Sequence, residues 1–168
     1  MRSEHGYTLI ELLVVVGFIG VASAMTIPLF LSSDALNDLW TSSERMGALI
    51  RQTRFKAISQ NTTYQIRFDC PAAGDVRALV MTGDPAVDDA GGRCSANQTG
   101  DSDIVEMEQG IDFDQGTATA LQVTGRGVFT ALGSAIPLTI GITHGSTARY
   151  LIVSATGQIS FSNTPPSP

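Results

Sequence analysis

A chain of 168 residues suits one domain with an appended segment, and 43% apolar against 15% charged residues is too lean in charge for a disordered chain. The net charge of −6 argues against broad capture of nucleic acid, which needs Lys and Arg to displace phosphate counterions. No phosphate-cradling Gly-x-x-x-x-Gly-Lys, dinucleotide fingerprint or His-Glu-x-x-His occurs, which removes the common nucleotide and zinc-hydrolase chemistries.

The chain opens MRSEHGYTLIELLVVVGFIG, and from Leu9 to Leu31 the one ionisable residue is Glu11. As a helix that stretch would span about 34 Å, enough for a hydrocarbon core of roughly 30 Å. Pro28 should kink it. A carboxylate inside such a run costs roughly 2.5–3.5 kcal/mol, so Glu11 reads as functional. A cleaved signal peptide is one reading, with Arg2, an apolar run and a cut after Ala24 in Ala22-Ser23-Ala24. Against it, Glu11 interrupts the apolar run and Glu4 offsets Arg2. A plain membrane anchor also leaves Glu11 unexplained.

A third reading uses every residue. MRSEHG-YTLIELLVVVGFIG resembles the leader and first turn of the type IV pilin and pseudopilin family. The resemblance implies cleavage after Gly6 by prepilin peptidase, N-methylation of the new N-terminal Tyr7, and Glu11 as the fifth mature residue, where the family places its glutamate. Pro28 falls where the family often kinks its first helix. Glu11 then sets assembly register: alone it is costly in the membrane, but a neighbouring subunit's Tyr7 ammonium offsets that cost at one axial stagger. The implied protein sits in the bacterial inner membrane by a single pass, its head in the periplasm or on an extracellular filament. Its implied partners are other pilin or pseudopilin subunits and prepilin peptidase.

Asp34 to Asn61 continues the helix. Leu36, Leu39, Trp40, Met46, Ile50, Ala57 and Ile58 recur mostly at three- and four-residue intervals and should pack on a sheet. Ser42, Glu44, Arg45, Arg51, Gln52, Arg54 and Lys56 fill the other face, the late cations suiting the negative helix end. Asn61-Thr62-Thr63 stops it. Tyr64 to Cys70 alternates apolar and polar residues as a half-buried strand must. Further strands are expected at 77–82, 103–108, 121–124, 127–130, 136–142, 149–154 and 158–162, several separated by glycine turns. One long helix followed by short strands is α+β, with the second half of the helix on an antiparallel sheet. The domain reading is therefore leader 1–6, transmembrane and assembly helix 7–31, α+β head 32–162 and a flexible tail 163–168.

Residues 83–101 mix Pro, Gly and Asn with Asp84, Asp88, Asp89 and Asp101, a composition that suits a solvated surface loop. Asp103 adds another hard-oxygen ligand, but calcium-loop spacing is missing, so no metal is expected. Cys70 and Cys94 are either two buried thiols or, outside the cytoplasm, one disulfide pinning this loop. The periplasmic location implied above favours the bridge.

The closing segment Arg149 to Phe161, with its Ser-x-x-Gly turn, and Val123-Thr124-Gly125-Arg126-Gly127 look like the GspH/FimT group of minor pilins and pseudopilins. Some FimT-like members carry Gly-Arg-x-Arg at the last turn and bind DNA. Here that position reads Gly157-Gln158-Ile159-Ser160, without either arginine. Arg126 and Arg149 remain as a weak ligand patch if the fold brings them together. The expected function is a structural subunit of a type II secretion pseudopilus or type IV pilus; the alternative is a DNA- or substrate-binding tip subunit. No catalytic constellation is visible: after the leader the chain keeps one histidine, His144, without an orienter or nucleophile in its pattern. No cofactor is expected.

Overall fold

The structure, a computed structural model, describes residues 8–165, and within the first helix the side chains of residues 24–34 lie outside that description. The chain divides into two units, Met1–Asn37 and Asp38–Pro168. One helix, α1 (Leu9–Gln60), contributes to both.

In the second unit α1 buries Leu39, Ser42, Ser43, Met46, Leu49, Ile50, Thr53 and Ala57. These positions follow one another at helical spacing and make a single stripe. The stripe is rotated from the expected one. Leu49 lies inside, whereas Trp40 and Ile58 stay 51% and 49% exposed. Ser42, expected on the polar face, is buried. Its neighbours show how small polar residues fit here: Ser43 Oγ and Thr53 Oγ1 each donate back to a carbonyl one turn earlier, at 2.7 Å. α1 ends in a Schellman arrangement, with Asn61 at φ 49° and Thr62 N–H reaching the Ala57 carbonyl at 3.0 Å. The last turn holds no basic residue, so Asn61 caps the end and the expected cationic complement does not.

The strands are β1 (Tyr64–Phe68), β2 (Asp75–Val80), β3 (Val105–Glu106), β4 (Ile111–Asp114), β5 (Ala120–Val123), β6 (Phe129–Leu132), β7 (Leu138–His144), β8 (Thr147–Val153) and β9 (Ile159–Ser162), and a short helix α2 (Pro85–Asp88) precedes β3. They form two antiparallel sheets, β3-β2-β1-β5-β6 and β4-β7-β8-β9, where one was expected. The missed strand is β4. Its Asp112 and Asp114 are of a residue type depleted in strands, yet it pairs with β7 and completes the second sheet. On β1, Ile66 faces Ala78 on one side and Leu121 on the other.

Both sheets and the second half of α1 share one core, which includes Met46, Ile50, Ile66, Leu121, Ile140 and Leu151. Burying each such side chain stabilises the fold by roughly 1.5–3 kcal/mol. Phe68 of the first sheet meets Phe113 of the second with ring centroids 5.8 Å apart. The fold is α+β and antiparallel throughout.

Candidate assembly surface

Thr8 stands just before α1, and its Oγ1 accepts the Glu11 N–H at 3.3 Å. A threonine followed three residues on by glutamate is the pattern of a capping box, so Glu11 stands in the first turn, where the helix dipole favours a negative charge. Beyond it, the large apolar side chains from Leu9 to Val21 are 50–83% exposed. Among the described residues no helix is long and apolar enough to cross a membrane. The expected cleavage pair Gly6 and Tyr7 lies outside the described residues; Pro28 falls within the bounds of α1, but its side chain also lies outside them.

The acidic segment 83–101 lies mostly exposed at the surface, as its composition suggests, but several of its charged side chains are tied down. Cys70 and Cys94 are bridged, which ties it to the end of β1. Asp84 caps α2 by accepting the Ala86 N–H at 2.9 Å. Asp88 accepts from Thr82 N–H, Thr82 Oγ1 and Gly83 N–H at 2.9–3.0 Å. Arg93 turns inward and grips both oxygens of buried Asp101 at 2.6 and 2.7 Å. Arg77 donates to the carbonyls of Cys94, Ala96 and Ser102 and to Asn97 Oδ1, at 2.8–3.0 Å.

Burial alone would raise the Asp101 carboxyl. The Arg93 hydrogen bond, the Val80 and Gln98 N–H groups and the Arg93 charge outweigh it and hold Asp101 below the usual carboxylate range. Asp88 is held low in the same sense, burial again being outweighed, here by the Thr82 and Gly83 donors and the Arg93 charge. Carboxylates so engaged hold the loop together. Among the described residues no group of three or more His, Cys, Asp or Glu side chains is placed to hold a metal ion.

Arg126 and Arg149 do not form a patch. Arg126 is exposed in the β5–β6 turn of the first sheet, while Arg149 is 6% exposed on β8 of the second. The Arg149 guanidinium lies 3.5 Å from the Trp40 ring centroid and 4.7 Å from that of Phe161, with its Nη1 donating to Ser43 Oγ at 2.9 Å. It fastens α1 to the second sheet. The signal that could have found it is the polar Ser43 three residues after Trp40, on the same face of the helix. His144 ends β7, its Nε2 lying 3.2 Å from the Gln109 carbonyl.

The family model described as type II transport protein GspH matches residues 42–157. The chain belongs to the GspH family. The match starts in the second half of α1 and stops at the turn before β9, so it covers nearly all of the head's strands. Two crystal structures of the Pseudomonas aeruginosa (strain PAO1) type IV minor pilin FimU share the fold of this GspH-family chain. One is 18% identical with a TM-score of 0.54, over 75% of this chain and 89% of that one. The other is 16% identical with a TM-score of 0.52, over 74% and 92%. No curated protein matches the chain.

Proposed function

We propose that the chain is a minor pilin or pseudopilin, a non-catalytic structural subunit of a type II secretion pseudopilus or a type IV pilus. The observation that carries this reading is the exposed apolar row from Leu9 to Val21, interrupted only by Glu11. Side chains of this kind need lipid or sister helices to cover them. Family membership and the likeness to a type IV minor pilin support the same reading.

In this reading prepilin peptidase cuts between Gly6 and Tyr7, Tyr7 is N-methylated, and the helix runs through the inner membrane as far as Leu31 with a kink at Pro28. The head stands in the periplasm or on a filament. Glu11 pairs with a neighbouring Tyr7 ammonium and rewards one stagger between subunits. The alternative, a DNA- or substrate-binding tip subunit, has less support, because Arg126 and Arg149 are divided between a surface turn and the core.

The deciding experiment is the intact mass and N-terminal peptide of the protein taken from its native membrane. A chain starting at methylated Tyr7 is expected. A chain starting at Met25 would mean an ordinary secreted domain and would overturn the reading.

A further inference from the structure

The cations of the head are unevenly committed. Arg45, Arg67, Arg77, Arg93 and Arg149 each meet a carboxylate within 4.0 Å. Among the described residues Arg51, Arg54, Lys56 and Arg126 meet none, and Arg54 spends only its Nε, on the Gly127 carbonyl at 3.1 Å. In a chain of net charge −6, unpaired guanidinium groups gathered on one corner need an explanation.

Arg51 and Arg54 rim a groove of about 200 Å³ whose apolar lining includes Phe55, Ile58 and Phe129, with Gly157 in its wall. Phe55 is 73% exposed. The groove is built by two close approaches. Gly127 and Gly157 have φ of +75° and +79°, and a Cβ on either would come within 2.9 Å of Ile58, Arg54 or Phe129. Only glycine lets both turns press on these side chains. The Gly127 turn also carries Arg126 and half-exposed Val128 to the same corner.

The opposite edge of the same sheet carries the reverse chemistry. β6, which starts at Phe129, is one edge strand, and β3 is the other. At and just before β3, Asp103, Ile104 and Glu106 are exposed. Neither carboxylate has an ion pair among the described residues, although the Glu106 carbonyl accepts from Arg45 at 3.3 Å. An apolar side chain between carboxylates therefore stands at one edge, and an apolar groove between guanidinium groups stands at the other.

We propose that the groove seats the Asp103–Glu106 edge of a second copy of this chain, with Ile104 on Phe55 and Ile58, and Asp103 and Glu106 facing Arg51, Arg54 and Arg126. The two surfaces lie at different edges of one head, so the contact is heterologous and leaves each end open for another copy. Opposite charges fix the register and steer the encounter. The contact needs neither leader cleavage nor a membrane and so goes beyond the reading above.

The test is photo-cross-linking of the purified full-length protein in detergent, with p-benzoylphenylalanine replacing Phe55 and normal-isotope copies mixed with nitrogen-15-labelled copies. The expected product is a mixed-isotope cross-link mapping to residues 103–106, with a yield that drops several-fold at high salt. Asp103→Arg should abolish it. Adding Arg51→Glu to that variant should restore part of it, and since Arg51 and Asp103 are both exposed, neither change disturbs the core. No intermolecular cross-link would overturn the proposal. So would a cross-link to another segment, a yield unchanged by Asp103→Arg, or, in native membranes, capture of a different protein alone.

Discussion

Arg93 and Asp101 meet through two hydrogen bonds of 2.6 and 2.7 Å, with side chains only 1% and 0% exposed. Such a pair is not a large net source of stability, because desolvating both charges offsets most of their attraction. What it does is make each charge depend on the other. Arg93→Ala or Asp101→Ala should each cost about 3–5 kcal/mol in chemical denaturation, since each takes from a buried charge the partner that holds it through two short hydrogen bonds. The double change Arg93→Met with Asp101→Leu should cost clearly less than either. A double variant as unstable as the singles would show that the pair is not the source of the loss.

The same carboxylates set an acid limit. Folding holds Asp101 and Asp88 below the usual carboxylate range, so the unfolded chain binds their protons more readily than the folded head does. Their contribution is complete above about pH 4 and is lost as pH falls through the lowered folded values. Melting temperature should therefore drop steeply on the acid side, and the drop should be shallower in Asp101→Asn. A profile identical in both proteins would count against this assignment.

The bridge between Cys70 and Cys94 closes a separation of 24 residues. In the chain-entropy account a loop of that size is worth about 3 kcal/mol. Cys94→Ser should lower the melting temperature under oxidising conditions, and reductant should bring the wild-type protein down towards the variant. Calorimetry with and without reductant checks both statements.

Arg149 offers an optical test, because Trp40 is the one tryptophan in the chain. Removing the guanidinium from between Trp40 and Phe161 in Arg149→Ala should change the Trp40 emission and cost about 2 kcal/mol, the cation–π share together with lost packing. Arg149→Lys should recover only part, since an ammonium lacks the flat face that stacks on both rings. Unchanged emission in Arg149→Ala would place the arginine elsewhere in solution.

Glu11 separates assembly from folding. Glu11→Val should leave the melting of the head unchanged and still impair incorporation into filaments, followed by fractionation and immunoblotting. Normal filaments from this variant would remove the register role proposed for the carboxylate.

Much of the head could be read from the chain alone where side-chain period and environment agree. Tyr64 to Phe68 alternates in residue type and is a strand, although Gln65 is buried along with the apolar residues, and α1 stops at Asn61 as expected, with Asn61 at positive φ. Reading failed where a polar residue does an interior job. Ser42 looked like the wet face of a helix, but it is buried, and its Oγ finds no hydrogen-bond partner among the described residues. Asp112 and Asp114 disguised an edge strand whose alternate residues face solvent. Arg93 was the hardest case. A single arginine in a glycine-rich acidic stretch carries no periodic signal, and its burial depends on Asp101 and the Val80 carbonyl, which come near only in three dimensions. Arg149 was misplaced for the same reason, its aromatic neighbours lying on α1 and β9.

Beyond Val76 the outer side of β2 has no neighbouring strand, because β3 pairs only with Asp75 and Val76. Side chains and loop backbone take over. Ser102 accepts the Ala78 N–H and donates its own N–H to the Ala78 carbonyl, Asp101 accepts the Val80 N–H, and Arg93 fills the Val80 carbonyl. A foreign strand arriving there finds no free donors or acceptors to copy. One route to runaway β-pairing is thereby closed: the first sheet cannot be extended along that stretch of β2 unless the 93–102 segment is peeled away first.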